Sequence, residues 1–132
     1  MIGLDTNVLL RYIVIDDASQ SARAKKLIET QCSTQILGFI NRIVLCECIW
    51  TLERSYLYER ARVAQAVEAL LNTAGLIVED DDHVREALPA YKAGKANFPD
   101  LLVASVNRAL GCEVTATFDR KAGRLDGFVL VD

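Results

Sequence analysis

Four acidic residues stand where this sequence passes between strand-like and helix-like segments: Asp5, Glu47, Asp100 and Asp119. Asp5 follows a brief apolar opening, Met1–Leu4, and Asp119 follows a strand-like run that begins at Glu113. Both therefore fall at carboxyl ends of strands. Glu47 lies one to two turns into the helix after the second strand, and Asp100 opens a helix after the Asn97-Phe98-Pro99 turn. Taken singly, each has a plain explanation. Asp5 and Asp100 suit helix caps, Asp119 suits a turn, and Glu47 suits an ion pair with Arg54 or Arg11. Glu47 is the hardest to explain so, because an unpaired carboxylate in an apolar stretch costs several kcal/mol. Taken together they could converge on one end of the fold. Two unpaired carboxylates ~4 Å apart repel by about 4 kcal/mol at an effective dielectric near 20, so four require protonation or a cation. Hard oxygen donors with no histidine among them point to Mg²⁺ or Mn²⁺ rather than zinc.

The elements that must position these acids alternate. Helices are expected over Thr6–Val14, Ser19–Thr30, Asn41 to about Tyr56, Ala61–Thr73, Asp80–Asp82 to about Ala93, and from Pro99 through Leu110. Asn41 is a natural cap, Pro99 fits a first helical turn, and Gly75, Gly94 and Gly111 are stops. Strands are expected at Met1–Leu4, Ile36–Ile40, Leu76–Val78, Glu113–Ala116 and Val129–Val131. This rhythm predicts an α/β fold, a three-layer α/β/α sandwich with a central, mostly parallel sheet. Ligands of such sheets bind beyond the carboxyl ends of the strands.

A chain of 132 residues makes one domain, 1–132, able to bury a core without disulfide or structural metal. The net charge of −3 excludes a grip on nucleic acid through bulk positive charge. Local basic groups or cations must serve if the substrate is a polyanion, and Arg11, Arg42, Arg120, Lys121 and Arg124 are candidates. Cys32, Cys46, Cys48 and Cys112 form no CxxC pair and His83 is the only histidine, so the thiols are expected to be buried and reduced, and His83 to lie on the surface. The start has no basic or apolar leader and no run spans a bilayer, so a cytoplasmic location is expected.

Four segments carry a resemblance to a known family: Gly3-Leu-Asp5-Thr-Asn-Val-Leu-Leu, Leu45-Cys-Glu47-Cys-Ile-Trp-Thr-Leu, Asn97-Phe-Pro-Asp100-Leu-Leu-Val-Ala and Thr115-Ala-Thr117-Phe-Asp119-Arg-Lys-Ala. In this order, on this rhythm, the chain resembles a PIN domain, specifically the VapC-type toxin ribonucleases of bacterial toxin–antitoxin pairs, over nearly its whole length. The resemblance implies an acidic cluster of Asp5, Glu47, Asp100 and Asp119, with Asp5 and Asp100 foremost among the metal ligands. It implies that Thr117, and potentially Thr6, sets a hydroxyl beside that cluster. It implies Mg²⁺- or Mn²⁺-dependent cleavage of single-stranded RNA and a protein antitoxin. One departure is Asn97, where many relatives carry an aspartate; the amide lowers the charge available to a second metal.

The chemistry is consistent. Phosphodiester hydrolysis needs an activated water and a screen for charge on the phosphate oxygens, both of which a divalent cation supplies, and Glu47 or Asp119 could orient or deprotonate the water. Two other readings stand beside it. A haloacid-dehalogenase-like phosphatase also pairs a strand with an aspartate and Mg²⁺, but needs a second aspartate where this chain has Asn7. A non-catalytic PIN-like binding module would have no need of all four acids. The helix from Arg42 to Tyr56 reads as apolar on nearly every face, through Ile43, Val44, Leu45, Cys46, Ile49, Trp50 and Leu52, and Leu9, Leu10, Tyr12 and Ile13 add to it. A homodimer with an antitoxin segment on an apolar groove is therefore expected.

Overall fold

Three short parallel strands, each followed by helices, make up the first part of the chain in the computed structural model, which describes residues 1–132. The chain divides into two compact units, Met1–Asp81 and Asp82–Asp132. In the first, β1 (Ile2–Gly3), β2 (Gly38–Ile40) and β3 (Leu76–Val78) lie in the order β1-β2-β3, with Gly3 opposite Phe39 and Ile40 opposite Val78. The crossovers are α1 (Thr6–Ile13) with α2 (Ala18–Gln31), then α3 (Arg42–Arg54) with α4 (Arg60–Leu71). Parallel neighbours need such crossovers, because a tight turn cannot return the chain to the same end.

Local chemistry starts these helices. Asn41 caps α3, its side chain accepting the Val44 N–H at 2.8 Å, and Asp17 caps α2 by accepting the Gln20 N–H at 3.0 Å. Two glycines fit tight places in the sheet. A Cβ on Gly38 would come within 2.7 Å of Cys32 Sγ and 2.9 Å of Leu76 Cδ2, so a side chain there would require those two side chains to shift. Gly75 turns into β3 at φ +87°, a conformation only glycine adopts freely.

Most of the α3 face expected to meet a partner belongs instead to the core. Val44, Leu45, Cys48, Ile49 and Leu52 are buried, as are Leu9 and Leu10 of α1, while Tyr12 and Ile13 are half-buried. Only Ile43 and Trp50 of the α3 set stand exposed, at 66% and 57%. Glu47 is exposed too, which removes the buried-charge argument made for it from its apolar neighbours.

The second unit holds α5 (Asp81–Lys92), α6 (Phe98–Ala109), β4 (Thr115–Thr117), a 3₁₀ turn at Ala122–Arg124 and β5 (Phe128–Leu130). Strands β4 and β5 pair in parallel, Thr115 with Phe128 and Thr117 with Leu130. Tyr91 and Phe98, both fully buried, meet edge to face at 5.9 Å and fix the start of α6 against α5. Asn107 on α6 donates to Thr115 Oγ1 on β4 at 3.0 Å. The α/β class with parallel sheets is as the sequence indicated; the hydrogen-bonded ladders are two, of three strands and of two. Among the minor expectations, Cys112 is exposed rather than buried, and His83 is half-buried. No helix is long and apolar enough to cross a membrane.

Candidate active site

In the first unit, Asp5 occupies the turn between β1 and α1. Its backbone is extended (φ −84°, ψ 162°), and its Oδ1 accepts the Thr6 N–H at 2.8 Å as the cap of α1. That hydrogen bond fixes the carboxylate's direction and leaves Oδ2 outside the cap. Thr6 is buried, and its hydroxyl donates to Glu47 Oε2 at 3.3 Å, linking the first turn of α1 to the second turn of α3. Cys48 packs beneath them, its thiol 3.8 Å from the Thr6 carbonyl. Burial first, then the negative charges of Glu47 and Asp5, push the Cys48 thiol up to about 12. The two carboxylates thus act on one spot, and the thiol there stays protonated and is no nucleophile. Burial likewise raises Cys46.

Neither arginine proposed as a partner reaches Glu47. Arg11 binds Asp16 at 2.7 Å, with Gln20 and Tyr56 completing its contacts, and Arg54 lies over the Trp50 ring, 5.4 Å from its centroid. Arg42 is also committed, to Asp80 at 3.3 Å and Glu79 at 3.9 Å. Arg11 and Arg42 therefore drop out as free phosphate contacts. Arg120, Lys121 and Arg124 remain exposed.

In the second unit, Asn97 rather than Asp100 is the cap residue of α6. Pro99 and Asp100 lie in the first turn, where unpaired N–H groups favour an anion. Asp119 follows β4 by two residues. Its Oδ1 accepts the N–H groups of Lys121 (2.8 Å) and Ala122 (3.1 Å), and its own N–H donates to Thr117 Oγ1 at 3.0 Å. The plain reading of Asp119 as a turn residue is therefore true of one oxygen and leaves Oδ2 outside the turn. Burial and, after it, the charge of Asp119 hold Asp100 above the usual carboxylate range. A raised carboxylate beside a second carboxylate is what a cation would relieve.

Each unit thus carries two carboxylates and a threonine hydroxyl. Within neither unit do three or more histidine, cysteine, aspartate or glutamate side chains gather at metal-holding distance. The donor set is nonetheless hard oxygen throughout, which suits Mg²⁺ or Mn²⁺. Thr6 tethers the Glu47 carboxylate, whereas Thr117 accepts the backbone N–H of Asp119. Trp50 faces outward, as the partner expectation had it, while the position of Arg54 over its ring escaped the sequence reading. The signal was the spacing Ile43, Glu47, Trp50, Arg54, which is one helix face.

Comparison with known proteins agrees in direction. The family model of the PIN domain matches residues 2–127. A VapC ribonuclease of Aquifex aeolicus (strain VF5) is 28% identical over 129 residues, a stretch covering 98% of this chain and 94% of that protein.

Proposed function

Because the chain belongs to the PIN-domain family, we propose that it is a ribonuclease of the VapC toxin type, cutting single-stranded RNA with Mg²⁺ or Mn²⁺. The observation that carries the reading is the local geometry: in each unit a threonine hydroxyl and two carboxylates lie together beside the carboxyl end of a parallel strand. In this reading Asp5, Glu47, Asp100 and Asp119 are the acidic residues of the activity, with Thr6 bonded to the Glu47 carboxylate and Thr117 to the Asp119 N–H.

A bound divalent cation would supply charge screening at the phosphate and acidify water. The protein's own groups divide the remaining work. Asp5 and Asp100 would offer oxygens to such a cation; the cap hydrogen bond fixes the direction of Asp5, and Asp100 lies in the first turn of α6. Glu47, steadied by Thr6, accepts the proton of the attacking water. Asp119, clamped through Oδ1, presents Oδ2 to orient that water or the cation. Cleavage then leaves a 5′-phosphate and a 3′-hydroxyl.

The test is direct. The full chain is incubated with single-stranded RNA and Mg²⁺ or Mn²⁺, with and without EDTA, and the new ends are analysed. Cleavage that EDTA abolishes and that leaves 5′-phosphates supports the reading. RNA binding without cleavage favours the non-catalytic module instead, and phosphate release from small monoesters without RNA scission favours the phosphatase.

A further inference from the structure

The exposed face of α3 has a composition that the acidic set does not explain. Ile43, Glu47, Trp50 and Arg54 follow one another at steps of four, three and four residues, so they line one side of the helix. Trp50 is 57% exposed, far more than a core tryptophan tolerates. The Arg54 guanidinium lies 5.4 Å from the indole centroid, and where Arg11 and Arg42 pair with acids, Arg54 does not. An aromatic plane, an unneutralised cation and an acid of the proposed active set therefore share one helix face.

We propose that Trp50 and Arg54 form a nucleotide platform, on which a base of the single-stranded RNA stacks against the indole while Arg54 meets an adjoining phosphate, beside Glu47. The inference rests on the ribonuclease reading and deepens it by placing the substrate. Stacking suits a single strand, because every base offers a π-face whatever its sequence, and an arginine adds cation–π and phosphate contacts. It also answers the charge problem: a chain of net charge −3 needs local cations at the cut, and Arg54 is one. A second copy of the chain fits the face less well. Stable interfaces bury about 800 Å² per partner and are depleted of charge at their centre, whereas here two apolar side chains lie among Arg42, Glu47 and Arg54.

Trp50 is the only tryptophan, so fluorescence excited beyond the tyrosine absorption band reports on it alone. A short oligouridylate is titrated into the full chain in EDTA, and cleavage kinetics with Mg²⁺ are measured for Trp50→Leu, Trp50→Phe and Arg54→Gln. The expected results are saturable quenching, and a KM raised roughly tenfold to a hundredfold in Trp50→Leu with kcat little changed, the loss of one stacked base. Trp50→Phe should recover most of it, and Arg54→Gln should raise KM and flatten its salt dependence. Melting curves confirm that the variants fold. An unchanged KM in Trp50→Leu, with wild-type cleavage intact, overturns the platform and spares the nuclease. A dimer mass in light scattering that Trp50→Leu halves also overturns it, because the face then belongs to a second copy. Quenching without any cleavage supports the platform while removing the nuclease reading, and neither quenching nor cleavage removes both.

Discussion

Burial of a carboxylate, and after it the charge of a second one nearby, costs the folded chain something, and Asp100 bears that cost. Its proton is held above the ordinary carboxylate range, so the native state binds it more readily than the unfolded chain does. Stability then falls as pH rises through the interval between the ordinary and the raised value. Removing the charge should relieve this. Asp100→Asn is expected to melt no lower than wild type at neutral pH without metal, and to lose the stabilisation that Mg²⁺ or Mn²⁺ gives wild type. That gain is about 2.7 kcal/mol at a hundredfold excess over the dissociation constant, and thermal melts with and without metal measure both effects. A second prediction concerns Thr6. Thr6→Val keeps the shape but removes the hydroxyl that holds Glu47. Supporting hydrogen bonds of this kind are worth about 10- to 100-fold in activity, and the melting temperature should move little because Glu47 is exposed and can be hydrated.

Elements hold these residues in place through a few identifiable contacts. Asn41→Ala should cost about 1 kcal/mol through loss of the α3 cap, and Leu45→Ala, at a fully buried site, about 2–5 kcal/mol; denaturant unfolding reads both. A cluster of Arg11, Asp16 and Tyr56 ties the end of α1 and the approach to α2 to the residues that follow α3. The Tyr56 hydroxyl foremost, and then Arg11, hold Asp16 below its usual range. A depressed carboxylate contributes stability above its unfolded value and loses it as pH falls through the folded one. Asp16→Asn is therefore expected to lower the melting temperature at pH 7, with the gap to wild type narrowing as pH falls below the ordinary carboxylate range; a gap that does not narrow would contradict this. The starts of α3 and α6 were legible because Asn41 and Pro99 act through local hydrogen bonds and fixed dihedrals. So was β3, bounded by Gly75. Where one element turns its face was not legible. Periodicity in α3 reports apolar content, and it took the packing of α1 and α4 to decide that Leu45 and Ile49 go in while Ile43, Glu47 and Trp50 stay out. The ends of three-residue strands, such as β4 beginning at Thr115 rather than Glu113, carry too few alternations to place. The 3₁₀ turn that Asp119 clamps has no periodic signal at all.

At the scale of the whole molecule, the acids divide two and two between units, Asp5 and Glu47 in one, Asp100 and Asp119 in the other. The sequence singled out all four as candidates by type and order, and the structure shows hydrogen bonds to Asp5, Glu47 and Asp119 and places Asp100 in the first turn of α6. Of the apolar residues on which the homodimer expectation rested, most are core, while Ile43 and Trp50 stand exposed. The antitoxin expectation has its own test: co-purification with the product of the adjacent gene should reduce RNA cleavage. The central proposal is that all four acids serve the same metal-dependent cleavage. Its most direct measurement is RNA cleavage with Mg²⁺ by wild type, Asp5→Asn, Asp100→Asn and the double variant, all shown to be folded. Groups that act as a unit are strongly non-additive when removed together. The predicted result is that each single variant loses on the order of a hundredfold or more in rate, and that the double variant is scarcely worse than either. Independent, additive losses, or full activity in either single variant, would contradict it.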